Sequence, residues 1–308
     1  MASTYPVDRA LSALDRAPAW LNTEPLAAES LRGRVVLVDF WTYSCVNWLR
    51  TLPYVRAWHE RYGDDGLVVV GAHAPEFGFE HELENVRRAT RELGVGYPVA
   101  IDNDFTIWRA FDNHYWPAVY LVDREGRVGF SHFGEGAYEE TERAIQELLG
   151  VDRETARVDA GGLAEAADWD TLQSPETYVG SARGERRSTR GADGLALNDW
   201  ALAGEWSVGS EAAALDAPGG SIAYRFHARD VNLVLAPPSS DSPVRFVVRL
   251  DGRPPGDAHG VDVDPSGKGT VSEPRMYQFV RQPGAVAQRV FEITFLDPGV
   301  HAYVFTFG

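Results

Sequence analysis

A single cysteine, Cys45, stands in a chain of 308 residues. No intramolecular disulfide can form, which excludes a disulfide-stapled secreted scaffold and fits a reducing compartment. No run approaches the roughly 20 apolar residues that a membrane span needs. The first 30 residues alternate Arg, Asp and Glu with short apolar patches, lacking both the basic start and the apolar centre of a signal peptide. A cytoplasmic location is the expectation. Positive charge is also in deficit: 29 Lys and Arg against 45 Asp and Glu leave a net charge of −16. Such a surface repels a phosphate backbone, so nucleic acid is not an expected partner. The eight histidines show no ligand pair of recognised spacing. His73-x-x-Glu76 comes nearest and reads as a loop, so neither a metal nor a bound cofactor is expected. There is no internal repeat.

What is present has two textures. Val35 to Phe40 is a short, β-branched apolar run, the pattern of a strand buried on both faces. From Val46 to about Arg61 the apolar residues Trp48, Leu49, Leu52, Val55 and Trp58 recur at helical spacing. A second buried strand is expected over 67–71, and an amphipathic helix over 80–93 ended by a left-handed cap at Gly94. Strands over 118–122 and 128–133 flank the turn Asp123-Arg124-Glu125-Gly126, and a helix over 138–149 stops at Gly150. Strands alternating with helices predict an α/β sheet. The segment 156–175, rich in Asp and Ala, reads as a linker between a domain over 1–155 and another over 176–308. The second half replaces helices with short strands at 221–226, 231–235, 244–250, 276–280, 290–295 and 302–307. Turns rich in Gly and Pro separate them, predicting an all-β sandwich of jelly-roll type. Arg183 to Arg190 is a small basic cluster, expected to be a solvated loop.

Cys45 follows the first strand by a few residues and opens the first long helix. Helix N-termini carry partial positive charge and unpaired amide donors. Such positions lower a cysteine pKa from about 8.5 toward roughly 3.5–7.5, and the thiolate is the reactive species. The preceding Trp41-Thr42-Tyr43-Ser44 reads as an amphipathic loop that exposes the next side chain.

The string Val36-Leu37-Val38-Asp39-Phe40-Trp41-Thr42-Tyr43-Ser44-Cys45-Val46-Asn47 closely resembles the active-site segment of TlpA-like thioredoxin-fold proteins, and most of all the non-membrane, C-terminal part of the DipZ type. The resemblance continues through Thr51-Leu52-Pro53-Tyr54, Ala74-Pro75-Glu76-Phe77, Tyr97-Pro98-Val99 and Tyr115-Trp116-Pro117-Ala118. In the second half it includes Arg225-Phe226-His227-Ala228-Arg229 and Phe295-Leu296-Asp297-Pro298-Gly299. It implies a thioredoxin-like α/β domain, a cis peptide bond before Pro117, backbone near Trp116 facing Cys45, and a second domain resembling a carbohydrate-binding module.

The departure from the pattern is at position 48. The family motif is Cys-x-x-Cys, and here the second cysteine is Trp48, which cannot resolve a mixed disulfide. The expectation is a thiol-dependent oxidoreductase of the monothiol kind: Cys45 attacks a peroxide or a disulfide, and an external thiol completes the turnover. Thr42-Tyr43-Ser44-Cys45 matches the Thr-x-x-Cys core of the peroxiredoxin motif, with Val38 in place of that motif's proline. Candidate helpers are Thr42, Asn47 as a donor, Trp48 and Trp116 as apolar walls, and Glu76 as a proton carrier. The alternative is a non-catalytic scaffold whose β domain binds a glycan or protein partner. Trp200, Trp206, Tyr224, Tyr277 and Tyr303 are the aromatics available for a sugar face.

Overall fold

The apolar run ahead of Cys45 becomes the central strand of a six-stranded sheet. The computed structural model describes residues 8–308; the first seven positions of the stretch searched for a signal peptide lie outside the described residues. Two units divide at residue 164, the second starting at Glu165.

The first unit holds strands Trp20–Leu21 (β1), Val35–Trp41 (β2), Leu67–His73 (β3), Val99–Ile101 (β4), Ala118–Val122 (β5) and Val128–Phe133 (β6). After a single helical turn at Asp8–Leu11, its helices are Val46–Tyr62 (α1), Leu83–Glu92 (α2), Thr106–Ala110 (α3) and Tyr138–Leu149 (α4). The spatial order is β1-β4-β3-β2-β5-β6. β2, β3 and β4 run parallel, and β1, β5 and β6 pair antiparallel to their neighbours. This is a thioredoxin-like α/β fold.

β2 is buried at all its positions, and its side chains alternate between faces. Val36, Val38 and Phe40 enter one core with Leu14, Ile107, Trp108 and Phe111. Asp39 and Trp41 take the other face, where Trp48 of α1 meets both. Glu142 of α4 ties that helix to α1 by accepting bonds from Trp58 Nε1 (3.2 Å) and Tyr62 Oη (2.6 Å).

Two elements differ from expectation. The helix foreseen over 80–93 begins only at Leu83. Gly78–His81 is a 3-10 turn instead, because the Glu80 carboxylate bonds back to the amides of Glu76 and Phe77 and caps that turn locally. Trp41, Thr42, Tyr43 and Ser44 do not form an exposed loop: all four are buried, and only Cys45 reaches partial exposure. Aromatic packing supplies the reason, since Trp41 stacks on Trp48 at 4.2 Å and Tyr43 lies parallel to His73 at 5.9 Å.

The second unit is a β sandwich. Its strands are Thr177–Tyr178 (β7), Trp200–Ala203 (β8), Trp206–Val208 (β9), Ala213–Leu215 (β10), Ser221–His227 (β11), Asp230–Ala236 (β12), Val244–Leu250 (β13), Lys268–Val271 (β14), Arg275–Arg281 (β15), Gln288–Phe295 (β16) and His301–Phe307 (β17). One sheet runs β15-β12-β17-β10-β9, with β7 paired to β17; the other runs β14-β13-β16-β11-β8. Phe246, Tyr224 and Phe291 from one sheet interdigitate with Phe279, Phe305 and Phe307 from the other. The basic cluster is exposed but not idle, with the Arg183 guanidinium 3.7 Å from the Tyr178 ring centre.

Candidate functional site

Cys45 occupies the N-cap of α1 in an extended conformation, and its carbonyl accepts the first helical bond from Leu49 N at 3.0 Å. The turn before it is closed by Cys45 N–H donating to the Thr42 carbonyl at 3.3 Å. Across from it the Trp116–Pro117 peptide bond is cis, and the Trp116 carbonyl oxygen lies 3.9 Å from Cys45 Sγ. The Trp116 indole is held in turn by Nε1 donating to the Ala74 carbonyl at 3.0 Å, beyond the end of β3. The structure therefore brings Cys45, Trp116 and Pro117 together.

The other candidates divide. Trp48 is fully buried, so it is not a wall of an open pocket; its Nε1 donates to Asp39 Oδ2 at 3.0 Å. Thr42 is also fully buried, on the side of the turn that faces Glu80. Asn47 sits half-buried in the first turn of α1, where its carbonyl accepts from Thr51 Oγ1 at 2.9 Å. Glu76 is half-buried, and its backbone amide enters the network beside the thiol by donating to Glu80 Oε2 at 2.6 Å.

Two groups matter that the sequence did not single out, Asp39 and Glu80, and a third, His73, was weighed there only as a metal ligand. Asp39 is completely buried; Tyr97 Oη and Trp48 both donate to its Oδ2, while its Oδ1 meets no donor among the described residues. Burial pushes its carboxyl up to about 6, against the pull of those two bonds. Glu80 is equally buried and accepts from Ser44 Oγ at 2.6 Å. Burial likewise pushes it up to about 7, with its hydrogen bonds opposing. His73, edge-on to Trp41 at 4.8 Å, is driven by burial down to about 3 and stays neutral. A signal existed for Asp39, an acid inside an apolar strand; none existed for Glu80, which reads as the exposed start of a helix.

No group of three or more His, Cys, Asp or Glu among the described residues is placed to hold a metal ion. Among those same residues no helix is long and apolar enough to cross a membrane. In the second unit, Trp200, Tyr224, Tyr277 and Tyr303 are buried and only Trp206 is partly exposed. Four of the five rings considered for a sugar face thus belong to the interior.

A cysteine at the N-cap position of the first long helix, beside a cis-proline loop and next to the central strand of this sheet, defines a thioredoxin-fold protein. Residues 174–308 match the family described as Thioredoxin like C-terminal domain. The chain is 36% identical over 251 residues to Protein DipZ of Mycobacterium bovis, covering 76% of this chain and 35% of that protein. It is 27% identical over 131 residues to Thiol-disulfide oxidoreductase YkuV of Bacillus subtilis, covering 42% of this chain and 88% of that one. A thioredoxin-like protein solved in solution in its oxidized form is 28% identical, covering 44% of this chain and 91% of its own, with a TM-score of 0.40. Within the thioredoxin-fold class, the chain is a DipZ-like and TlpA-like protein. It spans about a third of the length of the curated DipZ relatives it matches.

Proposed function

We propose that the chain is a monothiol oxidoreductase in which Cys45 exchanges with a disulfide and an external thiol restores it. The observation that carries this reading is the pairing of a partly exposed Cys45 with a wholly buried Trp48 one helical turn away. The thiolate attacks one sulfur of R–S–S–R′; that S–S bond breaks, a mixed disulfide with Cys45 forms, and R′S⁻ leaves and takes up a proton. With no second cysteine in the chain, an external thiolate attacks the mixed disulfide and releases Cys45. The Trp116 carbonyl, 3.9 Å from Sγ, is a backbone acceptor beside the reacting sulfur, suited to an N–H of an extended substrate chain. A peroxide substrate is less well served, because Thr42 is buried on the Glu80 side of its turn. A compartment supplying low-molecular-weight thiols suits the cycle.

The test is intact mass after incubation with oxidised glutathione, and separately with one equivalent of hydrogen peroxide. A glutathione adduct on Cys45, absent in Cys45→Ser and removed by fresh thiol, is the expected result. Addition of oxygen without prior adduct formation would move the substrate to peroxides. An inert Cys45 under both treatments would overturn the reading and leave function to the β sandwich, where retention on immobilised glycans is the next measurement.

A further inference from the structure

Glu80 lies 35 positions from the reactive thiol in sequence and is joined to its turn in space. Its side chain is completely buried, and its two oxygens bridge separate segments of chain. Oε1 accepts from the hydroxyl of Ser44, the residue before Cys45, at 2.6 Å. Oε2 accepts from the backbone amides of Glu76 at 2.6 Å and Phe77 at 3.0 Å. Three donors thus converge on one buried carboxyl, a set that the ionised form, an acceptor only, satisfies in full.

We propose that Glu80 is a positioning residue for Cys45, acting through the Ser44 hydroxyl to set the thiol's presentation and to couple its reactivity to a second protonation. The inference rests on Cys45 being the reactive group. When Glu80 gains a proton, its O–H needs an acceptor while three donors still point at it. The two backbone amides cannot reverse roles. A hydroxyl both donates and accepts, so of these three donors Ser44 alone can turn its proton away and accept from Glu80; the Thr42 hydroxyl, which also faces Glu80, belongs to the same turn. Protonation of Glu80 therefore reorients a hydroxyl on the residue bonded to Cys45. Burial places that change near neutrality.

The groups facing Glu80 are few. Glu76, on its own loop, is the charged neighbour whose field raises it. The active-site turn contributes the hydroxyls of Thr42 and Ser44, and then the Cys45 thiol. β3 contributes His73 behind the Tyr43 ring, held neutral by burial.

The experiment is the iodoacetamide alkylation rate of the full chain from pH 5 to pH 9, clean because the chain has one cysteine. The expected wild-type profile shows two inflections, the thiol's own and one near the Glu80 midpoint, the latter altering the rate by about threefold or more. In Glu80→Gln the amide oxygen keeps the two backbone donors and the NH2 faces Ser44, fixing the low-pH arrangement. Its profile should show a single inflection with far-UV circular dichroism unchanged. Ser44→Ala, which leaves the carboxylate on its two amides, should lose the same inflection and decides the matter if Glu80→Gln does not fold. Profiles of both variants that superimpose on wild type after scaling would overturn the proposal. Failure of the disulfide reading shows separately, as a wild type that forms no adduct with oxidised glutathione.

Discussion

Asp39→Asn should make the first unit less sensitive to pH, by an amount that follows from its surroundings. In the native chain the carboxyl is completely buried and raised from an ordinary 3.8 to about 6. The folded state therefore holds a proton that the unfolded state has released between those two values. Stability falls as pH rises whenever the folded state binds more protons. The contribution is complete below about pH 3.8 and lost progressively up to about pH 6. Integrating that linkage, Asp39 costs about 1 kcal/mol at pH 4.5 and about 3 kcal/mol at pH 7.5. Asparagine cannot ionise, so the variant lacks this slope. It keeps an oxygen for Trp48 Nε1 and Tyr97 Oη, and it places an NH2 where Oδ1 meets no partner among the described residues. That orphaned amide costs about 1–3 kcal/mol at every pH. The decisive quantity is hence the change in the wild-type-minus-variant difference between pH 4.5 and pH 7.5, expected to be about 2 kcal/mol in the variant's favour. Urea unfolding followed near 222 nm measures it, because every α-helix among the described residues lies in the first unit. Glu80 contributes a slope of the same sign to both proteins and cancels in the difference. A difference constant with pH would refute the argument, as would a variant that loses ground at the higher pH.

Trp48→Cys should recreate a thiol pair one turn apart, read as loss of titratable thiol after mild oxidation. It should also remove about 3–5 kcal/mol of stability, because a buried indole stacked on Trp41 and bonded to Asp39 is replaced by a small side chain. Asp230→Ala should destabilise the second unit by about 3–5 kcal/mol in urea, since that buried carboxylate holds Arg281 Nε at 2.7 Å and Arg229 at 2.8 Å, leaving two guanidiniums without it. Gly260→Ala should cost about 1–3 kcal/mol in the same assay, because an added Cβ would collide with the Gln278 backbone carbonyl on β15.

The elements legible in sequence were those whose pattern is carried by apolar residues alone. β2 announced itself because it is buried on both faces, and α1 because Trp48, Leu49, Leu52, Val55 and Trp58 share a stripe. The long strands of the sandwich were readable for the same reason. β4 was not: its three residues give no period, and only pairing with Gly71, Ala72 and His73 on one edge and with Trp20 and Leu21 on the other makes them a strand. β9 and β10 are equally short and depend on each other through the pairing of Ala213 with Val208. At the site, Cys45 and the Trp116–Pro117 pair could be proposed from the resemblance. The buried acids could not be ranked, because burial of Glu80 is created by the fold of a loop whose local pattern resembles an exposed helix start.

Replacing the second cysteine with tryptophan changes more than the number of thiols. Trp48 spends its one donor on Asp39, and Tyr97 occupies the same oxygen, so the acid beneath α1 is enclosed by aromatic partners. A fully enclosed carboxyl loses the hydration of its charged form, and burial raises its pKa for that reason. The turn that carries Cys45 instead delivers its hydroxyl to Glu80, an acid reached from the loop after β3. A carboxyl hydrogen-bonded to the residue adjoining the thiol can affect it through that one hydroxyl; one sealed behind an indole acts on the stability of the helix that Cys45 opens. The two acids are thus separable. Mutating Asp39 should move unfolding and leave the pH profile of Cys45 in place, whereas mutating Glu80, a buried carboxyl raised to about 7, should move that profile as well as the pH dependence of unfolding.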